Sequence, residues 1–533
     1  MAARQDGWAR NAAPEEARIQ GEESDLATSY CNQAIRLSLR GRFTESEACS
    51  RTALRLRPDD INVLNELGVA VWRQGRAAEA EAIYLRACQI KPDDFRILTN
   101  LGLALYEQGR TDEAGELYRR ALQIQPDTFE AMMNLGVVLS DQGKFDEAMD
   151  WLQAAHRLRP DSADALQNIG LNLGRQGRGD EAINQFEQAL RQQPDFPEVH
   201  RNLAYALLGR GDYERGWPEH EWRLRCHPHP GCRINRTFWN GDDFQGRTIL
   251  LHAEQGFGDT LQFIRFAPLV KRRGGQVLVR CPAPLLQLVA RCAGVDLAFD
   301  GSSYEPDCHV HAPLLSLPAV LSTTLATLPA RVPYLLTDAV LVEHWRSELY
   351  RAIGIDGEAS RADAAGSSRS RPVRPFLIGI AWQGNPARRM DHWRSFPLTH
   401  FAPLAELPGV RLISLQTEHG LDQLDASARR FPITVLTGRR GRDFMETAAI
   451  MTHLDMVVTP DTAVAHLAGG LGLRVWAGIG SMGDWRYPQG RDDTPWYPTM
   501  RLFRQTTLGD WDGVFQRMTD ALKPELERLA ATP

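Results

Sequence analysis

Apolar and small residues recur with a fixed period through the first two hundred residues of the chain. Pro58, Pro92, Pro126, Pro160 and Pro194 are spaced by 34 residues, and seventeen residues before each lies Gly41, Gly75, Gly109, Gly143 or Gly177. Gly68, Gly102, Gly136 and Gly170 recur in the first half of the units. Ala80, Ala114, Ala148 and Ala182 recur in the second, followed by Tyr84, Tyr118, Leu152 and Phe186. The pattern predicts pairs of antiparallel helices. Small residues let the two helices approach, the larger side chain fills the gap beside them, the mid-unit glycine turns the chain, and proline ends the second helix. A sixth unit starts at Asn202-Leu203 and turns at Gly211, after which Gly216-Trp217-Pro218 replaces the usual start of a second helix. This part-unit is expected to cap the array and dock it onto the remainder of the chain.

Beyond about residue 240 the pattern changes to short apolar runs alternating with helical stretches. Thr248–Ala253, Gly275–Val279 and Val295–Phe299 read as strands, with a helical pattern through Leu261, Ile264, Phe266 and Leu269 between the first two. Gly354 to Arg374 is rich in Gly, Ala, Ser, Arg and Asp, a linker by composition. Strands then resume at Phe376–Trp382, Arg411–Leu415, Ile433–Leu436, Met456–Thr459 and Leu473–Gly478. Such alternation predicts parallel sheets covered by helices, in two halves with a ligand cleft at the carboxyl ends of the strands.

The 34-residue register over Ala27 to about Gln193 resembles the tetratricopeptide repeat family. One column within it carries candidate chemistry: Asn100, Asn134, Asn168 and Asn202 share a register that Glu66 breaks. Asparagine amides both donate and accept, so a ladder of them on a concave face would grip the backbone of an extended polypeptide. The other reading is a column that satisfies neighbouring loop amides. Resemblance to the repeat half of protein O-linked N-acetylglucosamine transferases points to the ladder.

Length and composition narrow the picture. The 533 residues predict three or four globular units; 43% apolar and 24% charged residues exclude wholesale disorder. A net charge of −6, with no long basic block, offers no field for nucleic acid. The longest uncharged stretch, Ala312 to Ala330, is interrupted by three prolines and would span a bilayer poorly. The polar N-terminus lacks a signal-peptide core, and eight scattered cysteines without a C-x-x-C pair suit a reducing compartment, so a cytoplasmic location is expected.

The densest chemistry is Thr459-Pro460-Asp461-Thr462-Ala463-Val464-Ala465-His466, where a buried strand ends and small residues open a helix. Asp461 is expected at the N-cap. The helix amides would face the cleft with the positive end of the dipole, and His466 lies one turn beyond Thr462, which suits a phosphate or diphosphate. The alternative is a capped helix with a core histidine. This stretch resembles the ADP-heptose:lipopolysaccharide heptosyltransferase family, with Ala463 where that family has Gly, and the resemblance extends over roughly Thr248 to Gln505. It implies a two-lobed GT-B fold of twin Rossmann-like halves and metal-free, inverting sugar transfer from a nucleotide sugar, which serves as co-substrate with no further cofactor. By that resemblance Asp461 contacts the donor sugar, Thr462, Ala463 and His466 surround the diphosphate, and Arg394 in Arg394-Ser395-Phe396-Pro397-Leu398 neutralises it. Asp259, in Gly256-Phe257-Gly258-Asp259, matches the family's general base; the competing reading is a simple helix cap. The absence of an Asp-x-Asp sequence agrees with a mechanism that needs no metal.

Asn385 and Arg388 follow a strand end and should border the donor, and Gln416 ends another strand and would read the nucleoside. Asp443, Glu446 and Thr447 are read as capping a helix. The Trp485-Arg486-Tyr487 and Trp496-Tyr497 aromatics would close over the donor or cross to the other lobe. The Cys226-to-Cys232 segment, with His227 and His229, fits no standard zinc spacing, nor do Cys308, His309 and His311, and no metal site is expected. The resulting layout is a leader to residue 26, a solenoid over 27–228, an acceptor-side lobe over 240–353, a linker over 354–374 and a nucleotide-sugar lobe over 375–533. The function it implies is a glycosyltransferase whose repeats recruit a polypeptide. A repeat scaffold carrying a decayed nucleotide-sugar-binding half is the second reading. An epimerase-like Rossmann enzyme is disfavoured because G-F-G-D is not a full G-x-G-x-x-G.

Overall fold

The computed structural model describes residues 25–226, 236–302, 306–355, 374–387, 391–427, 429–437, 443–481 and 483–531. Arg388, the interior of the Cys226–Cys232 segment, and most of the expected leader and linker lie outside them. The chain forms two compact units, Met1–Asn172 and Leu173–Pro533.

The first unit is helical. Its helices are α1 (25–39), α2 (Phe43–Leu56), α3 (Ile61–Trp72), α4 (Ala77–Ile90), α5 (Phe95–Glu107), α6 (Thr111–Ile124), α7 (Phe129–Asp141) and α8 (Phe145–Leu158); α9 (Ala163–Arg175) crosses into the second. Each mid-unit glycine is left-handed, with φ of +72° at Gly41, +79° at Gly75, +80° at Gly109 and +76° at Gly143, a conformation other residues adopt only with strain. Gly68, Gly102 and Gly136 serve a different purpose. A Cβ there would lie 2.3, 2.6 and 2.6 Å from Tyr84, Tyr118 and Leu152 respectively, so the glycine makes room for the large side chain of the next helix. Asp60 and Asp94 cap α3 and α5, accepting from Asn62 N–H at 3.0 Å and Arg96 N–H at 3.1 Å. Arg42, Arg76 and Arg110 precede the second helices and pair with Glu45, Glu79 and Glu113 three residues on.

The second unit opens with α10 (Gly179–Gln192), α11 (Pro197–Arg210) and α12 (Tyr213–His220). Helix α12 starts directly after the Gly211 turn, capped by Asp212, so Gly216-Trp217-Pro218 lies inside it and does not replace its start. Gly216 is needed there because a Cβ would meet Leu208 at 2.7 Å. Two sheets come next along the chain, and every strand pair in them is parallel. The first has the order β1 (Thr237–Phe238), β5 (Val310–Pro313), β2 (Thr248–His252), β3 (Gln276–Arg280), β4 (Leu297–Phe299). The second runs β11 (Met500–Arg504), β10 (Val475–Ile479), β9 (Met456–Pro460), β6 (Phe376–Ile380), β7 (Val410–Ser414), β8 (Ile433–Thr434). Strands β2, β6, β9 and β10 are buried along nearly their whole length, as strands covered on both faces require.

The end of the helical array is built into this unit. Trp217 of α12 is 5.5 Å from Trp485, 6.3 Å from Trp496 and 6.5 Å from Phe263, ring centroid to centroid. Nearby, buried Arg223 donates to Glu254 at 2.6 Å and to Ser316 at 2.9 Å, tying the chain beyond α12 to the loops after β2 and β5. Among the described residues, no helix is long and apolar enough to cross a membrane.

Candidate functional site

The loops after β2, β6, β7 and β9 converge on a cleft of about 480 Å³ in the second unit. They are the carboxyl ends of parallel strands, where peptide groups turn from pairing with neighbours to facing a ligand. Of the residues the sequence singles out, Asp259, Asn385, Arg394, Gln416, Asp461, Thr462, Ala463 and His466 all line this one cleft.

The strand-to-helix turn after β9 is built differently from the expected cap. Thr462 occupies the N-cap, with φ −139° and ψ 176°, and the helix Ala463–Gly470 carries no side-chain cap. Asp461 precedes the cap, and its carboxylate accepts from the Tyr487 hydroxyl at 2.8 Å. The first helix amides at the cleft wall are therefore not spent on a cap, and an anion would find them there. Burial, with the charge of Asp484 adding to it, pushes the Asp461 carboxyl up to about 6, although Arg486, Tyr487 and Arg394 pull the other way. His466 is buried. Its Nδ1 shares a hydrogen bond of 2.8 Å with Tyr497, and its Nε2 lies 3.9 Å from Asp461 Oδ1. Burial first, then the charges of Arg486, Arg265 and Arg394, hold its pKa well below the ordinary value, so the imidazole is neutral at pH 7.

Asp259 sits in the first turn of the helix Phe257–Phe263. Its Oδ2 accepts from Gly256 N–H at 2.8 Å, so the capping reading holds for one oxygen. Its Oδ1 is ion-paired with Arg486. Gly258 brings this loop against the other helix, since a Cβ there would lie 2.7 Å from His466 Cδ2. The two motifs, over two hundred positions apart in the chain, are thus in van der Waals contact.

The remaining candidates divide. Arg394 lines the cleft with its Nε donating to Asp391 at 3.0 Å, and Gly384 lies against this pair. Asn385 accepts from Ala387 N–H at 2.9 Å, closing its own turn. Gln416 is committed at both ends: its Oε1 accepts from Trp382 and Gln383 N–H at 3.1 and 3.3 Å, and its Nε2 donates to Gln383 O at 2.8 Å. It pins β6 to β7, so both ends of the side chain expected to read a nucleoside are engaged within the protein. Asp443 caps the helix Phe444–Met451 through Met445 N–H at 2.8 Å. His309 accepts from Thr248 N–H at 3.0 Å, and His311 bonds His252 at 3.2 Å. Among the described residues, no three His, Cys, Asp or Glu side chains are grouped as a metal site would need. In the first unit, Asn100 donates to Asn65 at 2.8 Å; Asn100, Asn134 and Asn168, and Asn202 on α11, are all half-buried.

Sequence reasoning passed over several cleft residues, among them Arg486, Tyr205, His220, Glu418 and Asp484. Arg486 stood inside an aromatic triplet noted for its rings, and that framing of a lone cation was the available signal. Tyr205 and His220, from α11 and α12, also line the cleft; Tyr205 is three positions after Asn202, on the same helical face. Among the described residues, four carboxylates (Asp259, Glu418, Asp461, Asp484) face two guanidiniums (Arg394, Arg486) around the cleft. Of these carboxylates, Asp484 adds its charge to burial in raising the Asp461 carboxyl.

Models of the tetratricopeptide repeat match residues 31–95, 93–161, 127–195 and 175–216. The helical region is an array of tetratricopeptide repeats. Protein FlbA of Caulobacter vibrioides is similar over 345 residues at 24% identity, covering 60% of this chain and 53% of FlbA; the chain thus spans about half the length of that relative. Among solved structures, the repeat array is similar to PilF of Pseudomonas aeruginosa (19% identity, TM-score 0.34, 39% of this chain and 94% of that one). It is also similar to TTC0263, described as a thermophilic TPR protein of Thermus thermophilus (23% identity, TM-score 0.32, 34% of this chain and 99% of that one).

Proposed function

We propose that the cleft is the active site of an inverting glycosyltransferase that uses a nucleotide-sugar donor without a metal, on a two-lobed GT-B fold, and that the repeats recruit a polypeptide acceptor. The repeats are protein-interaction modules, and the half-buried asparagine column is the proposed grip on an extended acceptor backbone. What carries the enzymatic reading is the convergence on one cleft of the uncapped Ala463–Gly470 helix, two guanidiniums and Asp259, from loops far apart in sequence. In the proposed reaction the acceptor hydroxyl oxygen attacks the anomeric carbon and its proton passes to Asp259. The bond from that carbon to the phosphate oxygen breaks, and the nucleoside diphosphate leaves with the bonding pair. Helix amides, Arg394 and Arg486 would meet the departing charge, with neutral His466 as a protic neighbour and not a cation.

The test is nucleoside diphosphate release from a panel of UDP-, GDP- and ADP-sugars, in buffer containing EDTA. Release should survive the chelator, vanish in Asp461→Ala and His466→Ala, and fall about 10²–10⁴-fold in Asp259→Asn. Loss of turnover in EDTA would end the metal-free mechanism. One observation favours the second reading, a scaffold that holds a nucleotide without turning it over: both oxygens of Asp259 are engaged, one by Gly256 and one by Arg486. Nucleotide binding with no release from any donor would establish that reading.

A further inference from the structure

The Asp259–Arg486 pair poses a chemical problem for its own site. The Oδ1 lone pair that an acceptor O–H would use is directed at a guanidinium, while Oδ2 holds the Gly256 amide. The same guanidinium is the cation on the cleft wall that also acts on Asp461 and His466, beside the helix that would hold phosphate. It is held in place independently of Asp259. Its Nη1 donates to Asp484 at 2.8 Å, its Nε donates to Gln262, and its carbon lies 4.3 Å from the Trp485 ring centroid. Only the Nη2 corner reaches Asp259, so that corner can exchange partners without the arginine moving.

We infer that Arg486 serves two anions in turn: it pairs with Asp259 until the diphosphate of a donor takes its Nη2 corner, and donor binding thereby unmasks the base. The inference rests on the glycosyltransferase reading. A diphosphate has the advantage in the exchange because it carries two charges to the carboxylate's one, and a guanidinium binds phosphate oxygens in the same forked geometry. The uncapped helix amides add to the pull at the same place. The consequence is an order of events in which donor precedes acceptor, and a base that is withheld while only an acceptor is present.

Competition of this kind has an unusual sign. If donor and Asp259 compete for one guanidinium, removing the carboxylate charge should tighten anion binding. Inorganic pyrophosphate is titrated calorimetrically into the full-length protein and its Asp259→Asn, Arg486→Gln and doubly substituted forms, with melting curves confirming that each is folded. Asp259→Asn should bind pyrophosphate five- to tenfold more tightly than wild type, and Arg486→Gln at least tenfold more weakly. The double variant should match Arg486→Gln, because the carboxylate matters only through that arginine. Arg486→Lys, which keeps the charge, replaces Arg486→Gln if the latter does not fold and should fall between it and wild type. Unchanged or weaker binding by Asp259→Asn overturns the exchange while leaving the enzyme reading intact. A wild type that binds neither pyrophosphate nor UDP, GDP or ADP overturns both.

Discussion

Asp461 follows β9 where an aspartate ordinarily caps the next helix, yet its carboxylate turns to Tyr487 and the cap passes to Thr462. The cost of that turn can be measured through pH. Burial and the neighbouring Asp484 raise its pKa from 3.8 to about 6. The folded protein therefore holds a proton that the unfolded chain has released, and stability falls as pH rises through about 4 to 6. Asn cannot ionise and keeps an acceptor for the Tyr487 hydroxyl. Asp461→Asn should thus be the more stable form above pH 6, by about 1–3 kcal/mol, with the advantage closing below pH 4. Thermal melts of both forms from pH 4 to 7.5 check this. Parallel curves would mean that the ionised carboxylate is well accommodated.

Glycines at two places in one repeat serve different needs, and substitution separates them. Gly102 lies under Tyr118, where a Cβ would come within 2.6 Å of the ring, whereas Gly109 has φ +80° and nothing within 4 Å. Gly102→Ala forces the α5–α6 contact apart and should cost about 1–3 kcal/mol of unfolding free energy. Gly109→Ala meets no atom and should cost about 1 kcal/mol, all of it backbone strain. Urea unfolding of the two variants distinguishes them, and equal costs would mean the close approach is relieved by relaxation. Both roles were legible because the period repeats the turn glycine five times and the close-approach glycine four times. Strands were less so. The central strands β2, β6, β9 and β10 are mostly apolar, almost wholly buried runs and stand out. The central strand β5 is only Val310–Pro313, two of its four residues His and Pro, and its last two residues open the stretch that reads as a proline-broken segment. The edge strand β11 alternates buried Met500 and Leu502 with exposed Arg501, a weaker signal over five residues. Helix capping at Thr462 was illegible for another reason: the competitor for Asp461, Tyr487, is brought in by a distant loop that no local pattern reveals.

At the scale of the second unit, the end of the repeat array and the cleft share one set of aromatic rings. Trp217 of α12 packs edge-on against Trp485 at 5.5 Å, and Trp485 in turn lies under the Arg486 guanidinium, 4.3 Å from its ring centroid. Arg486 then reaches Asp259. The chain of contacts is continuous, so a change at Trp217, whose own side chain is not a cleft residue, should be felt at the site. Trp217→Ala leaves a large cavity and should destabilise the unit by about 3–5 kcal/mol. Trp217→Phe keeps an aromatic edge and should cost less. The informative comparison is donor hydrolysis at a temperature where both variants remain folded. If the rings position Arg486, Trp217→Ala should lose turnover there while Trp217→Phe retains most of it, and pyrophosphate affinity should fall in parallel with turnover. If Trp217 serves only to hold α12 in place, both variants should turn over at the wild-type rate below their melting temperatures, and the last repeat would then be a structural cap with no hold on the chemistry. Tyr205 and His220, which reach the cleft from α11 and α12, favour the first outcome, because they make these last two helices part of the wall against which substrate would lie.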